Sequence, residues 1–161
     1  MKDLPGQESL QFKSIPQYSI RLVKESAFQY SNHKMSSATQ VVQFLEEIGL
    51  QDKAVEEFHA LYLNVKNQII GMEMVSKGTL TASMAHPREV FKGAILANAY
   101  AIIIAHNHPS GDVQPSTADK QTTETLVGAG KLLNIRILDH VIIGQGGGYF
   151  SFRNSTSLID E

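Results

Sequence analysis

Ala101-Ile102-Ile103-Ile104-Ala105-His106-Asn107-His108-Pro109-Ser110-Gly111-Asp112-Val113-Gln114-Pro115-Ser116-Thr117-Ala118-Asp119 is the stretch from which the rest of the chain can be read. Its first five residues are apolar and rich in β-branched side chains, the pattern of a strand buried on both faces. His106 and His108 close that strand. Side chains alternate across a strand, so both imidazoles point the same way and can reach one point in space. Pro109 and Gly111 then turn the chain. Pro115-Ser116 reads as a helix entry, with Ser116 as N-cap and Asp119 at the third helical position, facing back. Two imidazoles and a carboxylate are ligands of the kind zinc accepts at catalytic sites, where a fourth position stays open. The bland alternative is a polar strand end beside a capping box. The conjunction of His-x-His, a Gly/Pro-shaped loop, a helix start and a returning carboxylate favours the metal.

The same residues carry a family resemblance. His106-x-His108-Pro109-x-Gly111 followed by Pro115-Ser116-x-x-Asp119 resembles the JAMM signature of JAB/MPN+ metalloproteases, and residues 56–153 resemble the catalytic domain of the RadC-like branch. Gly78-Thr79-Leu80, His86-Pro87-Arg88-Glu89-Val90, Leu138-Asp139-His140 and Tyr149-Phe150-Ser151-Phe152 are similar to the family at comparable spacing. The resemblance implies a cytidine-deaminase-like MPN architecture. It also implies a zinc hydrolase that cleaves a peptide or isopeptide bond in a single step, through metal-bound water whose pKa falls to about 7. His106, His108 and Asp119 would hold one zinc ion, and Ser116 would help to stabilise the oxyanion. Such chemistry needs a carboxylate that is not a ligand, to take a proton from the water. Glu56, Glu57 and Glu73 all lie near enough in sequence, and spacing alone does not choose between them. Glu56-x-Phe58, eleven positions before the hairpin residue Asn67, is similar to the family's glutamate, so the resemblance assigns Glu56 as general base and then acid.

The 161 residues suffice for one domain with its own core. A hydrophobic fraction of 42% with 19% charged residues is ordinary globular composition. Formal net charge is −2, which supplies no excess of basic charge to follow a phosphate backbone. That argues against direct DNA binding, and no nucleic-acid-binding residue is assigned. The chain has no cysteine, so disulfides and thiolate zinc sites are excluded. No apolar stretch reaches membrane-spanning length, and the polar start lacks a signal-peptide core. These features lead to the expectation of a cytoplasmic protein, and the resemblance implies a peptide or protein substrate.

Taken in order, residues 1–35 read as a polar segment, with residues 1–14 a loose terminus and residues 18–23 an alternating edge strand. His33 falls in an exposed linker. The remaining divisions are a metal-hydrolase domain over 36–153 and a frayed tail over 154–161. Residues 37–48 form an amphipathic helix, with Ser37 and Gln40 as capping box, Val41, Phe44, Leu45 and Ile48 as its stripe, and Gly49 closing it. Residues 56–65 and 68–76 form a hairpin. A turn at Gly78-Thr79-Leu80 leads to a helix over 87–98, with His86 beside its N-cap and Arg88 either holding a carboxylate near the site or pairing on the surface. A second helix spans 117–133, its buried stripe drawn from Thr122, Leu126, Ala129, Leu132 and Leu133, and Asn134 stops it. Residues 135–143 and 149–152 are strands joined by a glycine-rich turn. His140 either supports a ligating imidazole through that ring's other nitrogen or is a satisfied core histidine. The order strand-strand-helix-strand-helix-strand-strand makes a three-layer α/β domain with a mixed sheet between helices.

Three other functions compete. A zinc nucleoside deaminase shares the architecture but needs a cysteine pair, which is lacking. An HNH nuclease reading of His106-Asn107-His108 lacks the required ββα arrangement. An accessory or catalytically idle binding module, associated with DNA repair or mobile elements, is what the RadC-like name would imply. Fuller members of that family carry an N-terminal DNA-binding-type helical region, for which the short polar start leaves little room.

Overall fold

A computed structural model of the chain describes residues 15–27, 29–30, 34–78 and 85–159. In chain order the elements are α1 (Ala38–Glu47), β1 (Glu57–Leu63), β2 (Ile69–Lys77), α2 (Pro87–Leu96), β3 (Ala101–His108), α3 (Thr117–Leu133), β4 (Arg136–Gly144), β5 (Tyr149–Ser151) and α4 (Phe152–Ser155). The strands form one sheet of order β2-β1-β3-β4-β5. The apolar run is its central strand, and every residue of β3 is buried. β3 pairs antiparallel with β1 and in parallel with β4. A parallel pair needs a crossover, which α3 provides.

Side-chain alternation splits the core between the two faces of the sheet. Phe58, Ala60, Tyr62, Ile102, Ile104 and Ile142 pack against Val90, Phe91 and Ala94 of α2, Leu126 of α3 and Phe152 of α4. Leu61, Leu63, Ile103, Ala105, Val141 and Ile143 face Val41, Phe44 and Leu45 of α1. The result is the expected three-layer α/β arrangement with a mixed sheet between helices. No helix among the described residues is long and apolar enough to cross a membrane.

Local signals set most element ends. The Ser37 hydroxyl accepts from Gln40 N–H at the start of α1, while the Gln40 side chain takes Ser36 N–H rather than that of Ser37. Gly49 and Asn134 adopt the left-handed conformation that ends α1 and α3.

Three expectations are corrected. Leu132 is 89% exposed, and the buried stripe of α3 is Asp119, Thr123, Leu126 and Gly130. The helix is phased by its first turn, where Asp119 must face inward, and steps of four, three and four follow from there. Phe152 leaves the last strand and begins α4, capped by the Ser151 hydroxyl, and Ile159 beyond it is buried, so the described part of the tail is packed rather than frayed. Residues 18–23 carry no β pairing and expose Tyr18, Ile20, Leu22 and Val23, because alternation marks a strand only where a neighbouring strand supplies the hydrogen bonds. Residues 1–14, His33, Thr79 and Leu80 lie outside the described residues.

Helix α2 sits close on the sheet above a Tyr62 hydroxyl that donates to Glu73 Oε2 at 2.5 Å. Burial and the neighbouring carboxylate push the Tyr62 hydroxyl pKa up, so it remains a donor. Gly93 makes the approach possible, since a methyl group there would fall on both oxygens. Gly93→Ala is expected to cost about 1–3 kcal/mol, as overpacking in a core typically does. A urea midpoint equal to that of wild type would show that α2 can lift without loss.

Candidate metal centre

His106 and His108 leave β3 on the face that carries Phe58, whose ring stacks on His106 at a centroid distance of 5.8 Å. His106 is fully buried and His108 nearly so. The protons on the two rings follow from their partners. His108 Nδ1 lies 2.6 Å from the Asp112 carbonyl oxygen, which can only accept, so Nδ1 carries the hydrogen and Nε2 keeps its lone pair. For His106 the relay is longer. The Thr123 hydroxyl donates to the Asp119 carbonyl oxygen at 2.6 Å and so accepts from His140 Nδ1 at 2.7 Å. Burial holds the His140 pKa well below its ordinary value, so the ring is neutral and its Nε2 is an acceptor. That nitrogen is 2.9 Å from His106 Nδ1, which therefore donates, and His106 Nε2 also keeps its lone pair.

His140 reaches this position because β4 holds one extra residue. Ile102 pairs with Ile137 but Ile103 pairs with Asp139, so the alternation slips at Leu138. Ile137 and His140 thus share a face although they are three residues apart. Asp139 fixes the segment from the side: its carboxylate accepts from His140 N–H, Arg153 N–H and the Ser151 hydroxyl. Asp139 is marked in the sequence only as part of the family-similar Leu138-Asp139-His140, and Thr123 becomes visible only once α3 is correctly phased.

Asp119 is brought in by the capping box at the start of α3. Its N–H donates to Ser116 Oγ at 3.1 Å, while Asp119 Oδ2 accepts from Ser116 N–H at 2.7 Å and from the Ser116 hydroxyl at 2.6 Å. The Ser116 proton thus points at the carboxylate, and donation to an oxyanion would require the hydroxyl to turn away from it. Burial alone would raise the Asp119 carboxyl, yet its contacts with His106, His108 and the Ser116 hydroxyl hold it well below the usual carboxylate range.

His106 Nε2 lies 3.0 Å from His108 Nε2 and 3.2 Å from Asp119 Oδ1, and His108 Nε2 lies 3.6 Å from Asp119 Oδ2. Two lone pairs and a carboxylate converging in a buried site need a positive charge between them, a proton or a metal cation. The contact with Asp119 raises the His108 imidazole above its ordinary value for the same reason. Metal–ligand bonds of about 2.0–2.1 Å put neighbouring corners of a tetrahedron about 3.3 Å apart, within the observed spread. His106, His108 and Asp119 form the group of side chains among the described residues that could hold a metal ion.

The three acidic candidates part company. Glu56 Oε1 is 3.9 Å from His108 Nε2, and Glu56 Oε2 is buried without a hydrogen-bond partner among the described residues. Burial pushes its carboxyl up, and Asp119 adds to this while His108 opposes it. Glu57 points to the other face, where it meets Lys77 at 2.9 Å and His59 at 3.3 Å. Glu73 is held by Tyr62. Arg88 pairs with Glu89 on the surface, and its exposed side chain makes that contact instead of reaching a site carboxylate. His86 caps α2 by accepting from Arg88 N–H.

A family model for a RadC-like JAB domain matches residues 35–157. A UPF0758 protein of Symbiobacterium thermophilum is 58% identical over 100 residues, which cover 62% of this chain and 42% of that protein. One from Chlorobaculum parvum is 49% identical over 127 residues, covering 79% and 56%. Another, from Methanosarcina acetivorans, is 55% identical over 97 residues, covering 60% and 42%. The chain spans about half the length of the curated relatives it matches.

Proposed function

Because the chain belongs to the RadC-like JAB domain family, a kind of domain that includes metalloproteases, we propose that it is a zinc-dependent hydrolase cleaving a peptide or isopeptide bond. His106, His108 and Asp119 are the ligands in this reading. The observation that carries it is the convergence of two Nε2 lone pairs and a carboxylate beside a Glu56 oxygen with no partner of its own. Zinc held there would supply Lewis acidity and bring the pKa of a water it binds to about 7. Glu56 takes the proton of the attacking water and later returns it to the leaving amine. The same carboxylate serves both steps, gaining the proton in the first and losing it in the second. The relay through His140 and Thr123 keeps His106 in the tautomer that presents Nε2. Ser116 turns its hydroxyl from Asp119 to the developing oxyanion.

Elemental analysis of the purified protein, together with cleavage of internally quenched peptides and ε-linked lysine isopeptides, tests this reading. About one zinc per chain and chelator-reversible cleavage are expected. Metal-free protein that cannot be loaded would sink it. The same reading expects little affinity for DNA, given a formal charge of −2. Tight duplex binding at low salt, falling steeply as salt rises, would favour an accessory DNA-associated module instead.

A further inference from the structure

Asn107, between the two ligand histidines, points to the opposite face of the sheet and is fully buried. Its three hydrogen bonds all go to one short segment. Oδ1 accepts from Glu57 N–H at 2.8 Å, and Nδ2 donates to the carbonyl oxygens of Val55 and Lys53, each at 3.1 Å. Val55 and Glu57 flank Glu56. The backbone pairing of β1 with β3 ends at Phe58 and His106, and beyond that pair the Asn107 side chain bonds the groups that a strand neighbour would otherwise take. On the other side, Glu56 C=O accepts from Gly78 N–H at 3.0 Å.

We infer that Asn107 is a positioning residue for Glu56, clamping the backbone on both sides of it so that its carboxylate faces the metal ligands without becoming one. The clamp matters because no hydrogen bond among the described residues anchors the carboxylate itself: Oε2 has no partner there and Oε1 stands 3.9 Å from His108 Nε2. Its location therefore depends on the backbone, two residues from Phe58 in the alternation that also aims His106. One strand end thus delivers ligands to one face and, through the residue between them, places the proton acceptor. This inference rests on the metal-hydrolase reading.

Cobalt(II) loaded in place of zinc gives a test that needs no substrate, because its visible absorption responds to groups around the open coordination position. The proteins compared are wild type, Glu56→Gln, Asn107→Ala and the double variant. Each single change should alter the cobalt spectrum with metal stoichiometry kept, and the double variant should match Glu56→Gln. Turnover of the quenched peptides and isopeptides should follow the same cycle. Asn107→Ala should lower kcat about 10–100-fold at similar KM, as misplacement of a reacting group by about 1 Å does, and should cost less than about twofold in the Glu56→Gln background. If Asn107→Ala does not fold, Asn107→Asp replaces it in the cycle, since it keeps the bond to Glu57 N–H but sets a carboxylate against the Val55 and Lys53 carbonyls. A wild-type cobalt spectrum in the Asn107 variant, or a further loss in the double variant, would overturn the inference and leave the hydrolase reading standing. A positive cobalt cycle without cleavage of any probe would do the reverse. Failure to bind cobalt would remove both.

Discussion

Glu56→Gln is expected to lower turnover by about 10²–10⁴-fold while bound zinc stays at the wild-type level, the usual contribution of a positioned general base. Glutamine keeps the size and most of the hydrogen-bonding capacity of glutamate but cannot accept the proton. Glu56 is close enough to the proposed ligand set to do this work, at 3.9 Å from His108 Nε2, and no group among the described residues hydrogen-bonds its Oε2. The neighbouring carboxylates serve as controls. Glu73→Gln should leave turnover nearly unchanged, because that side chain is held by Tyr62, and Glu57→Gln should do the same, because Glu57 pairs with Lys77 on the other face. Loss of zinc in Glu56→Gln would make it a ligand, and unchanged turnover would remove it as the base.

His106→Ala and Asp119→Ala are each expected to bring zinc from about one ion per chain to near zero, with turnover falling to background. Removing either leaves two protein donors, too few for a catalytic zinc site of this type. The variants should differ in what else they disturb. His106→Ala leaves His140 Nε2 without a partner in a fully buried position, which typically costs about 1–3 kcal/mol. Asp119→Ala removes half of the capping box of α3, worth about 1 kcal/mol. Asp119→Asn keeps the size of the side chain and much of that cap while weakening the ligand, so it separates metal loss from helix fraying. Elemental analysis and thermal melting with and without a chelator read both effects. Wild type should melt lower once zinc is removed, whereas the variants should be indifferent to the chelator. Wild-type metal content in His106→Ala would show that the ligands lie elsewhere.

Much of the candidate centre is legible in the sequence, because its signals are local. Period-two alternation puts His106 and His108 on one side of a strand, Ser116 with Asp119 starts a helix, and the helix over 117–133 spans the predicted residues. Each of these depends on neighbours within a few positions. The choice among Glu56, Glu57 and Glu73 is of another kind, and residue types alone left it open. It follows from the register that sets Phe58 against His106, a pairing between strands nearly fifty positions apart. The slip at Leu138 that turns His140 towards His106 has the same long-range origin, as does the inward phase of α3 that delivers Thr123. The orientation of the Ser116 hydroxyl is likewise a matter of tertiary contact: it donates to Asp119, and the oxyanion role proposed for it requires it to turn. The sequence by itself therefore determined the convergence of His106, His108 and Asp119 and the layered α/β order, since periodicity and capping act between near neighbours. Only the tertiary structure decided which side chains hold them in place and gave a physical reason for Glu56, already singled out by the resemblance, to stand beside them, since strand register is fixed by the packing of the whole sheet.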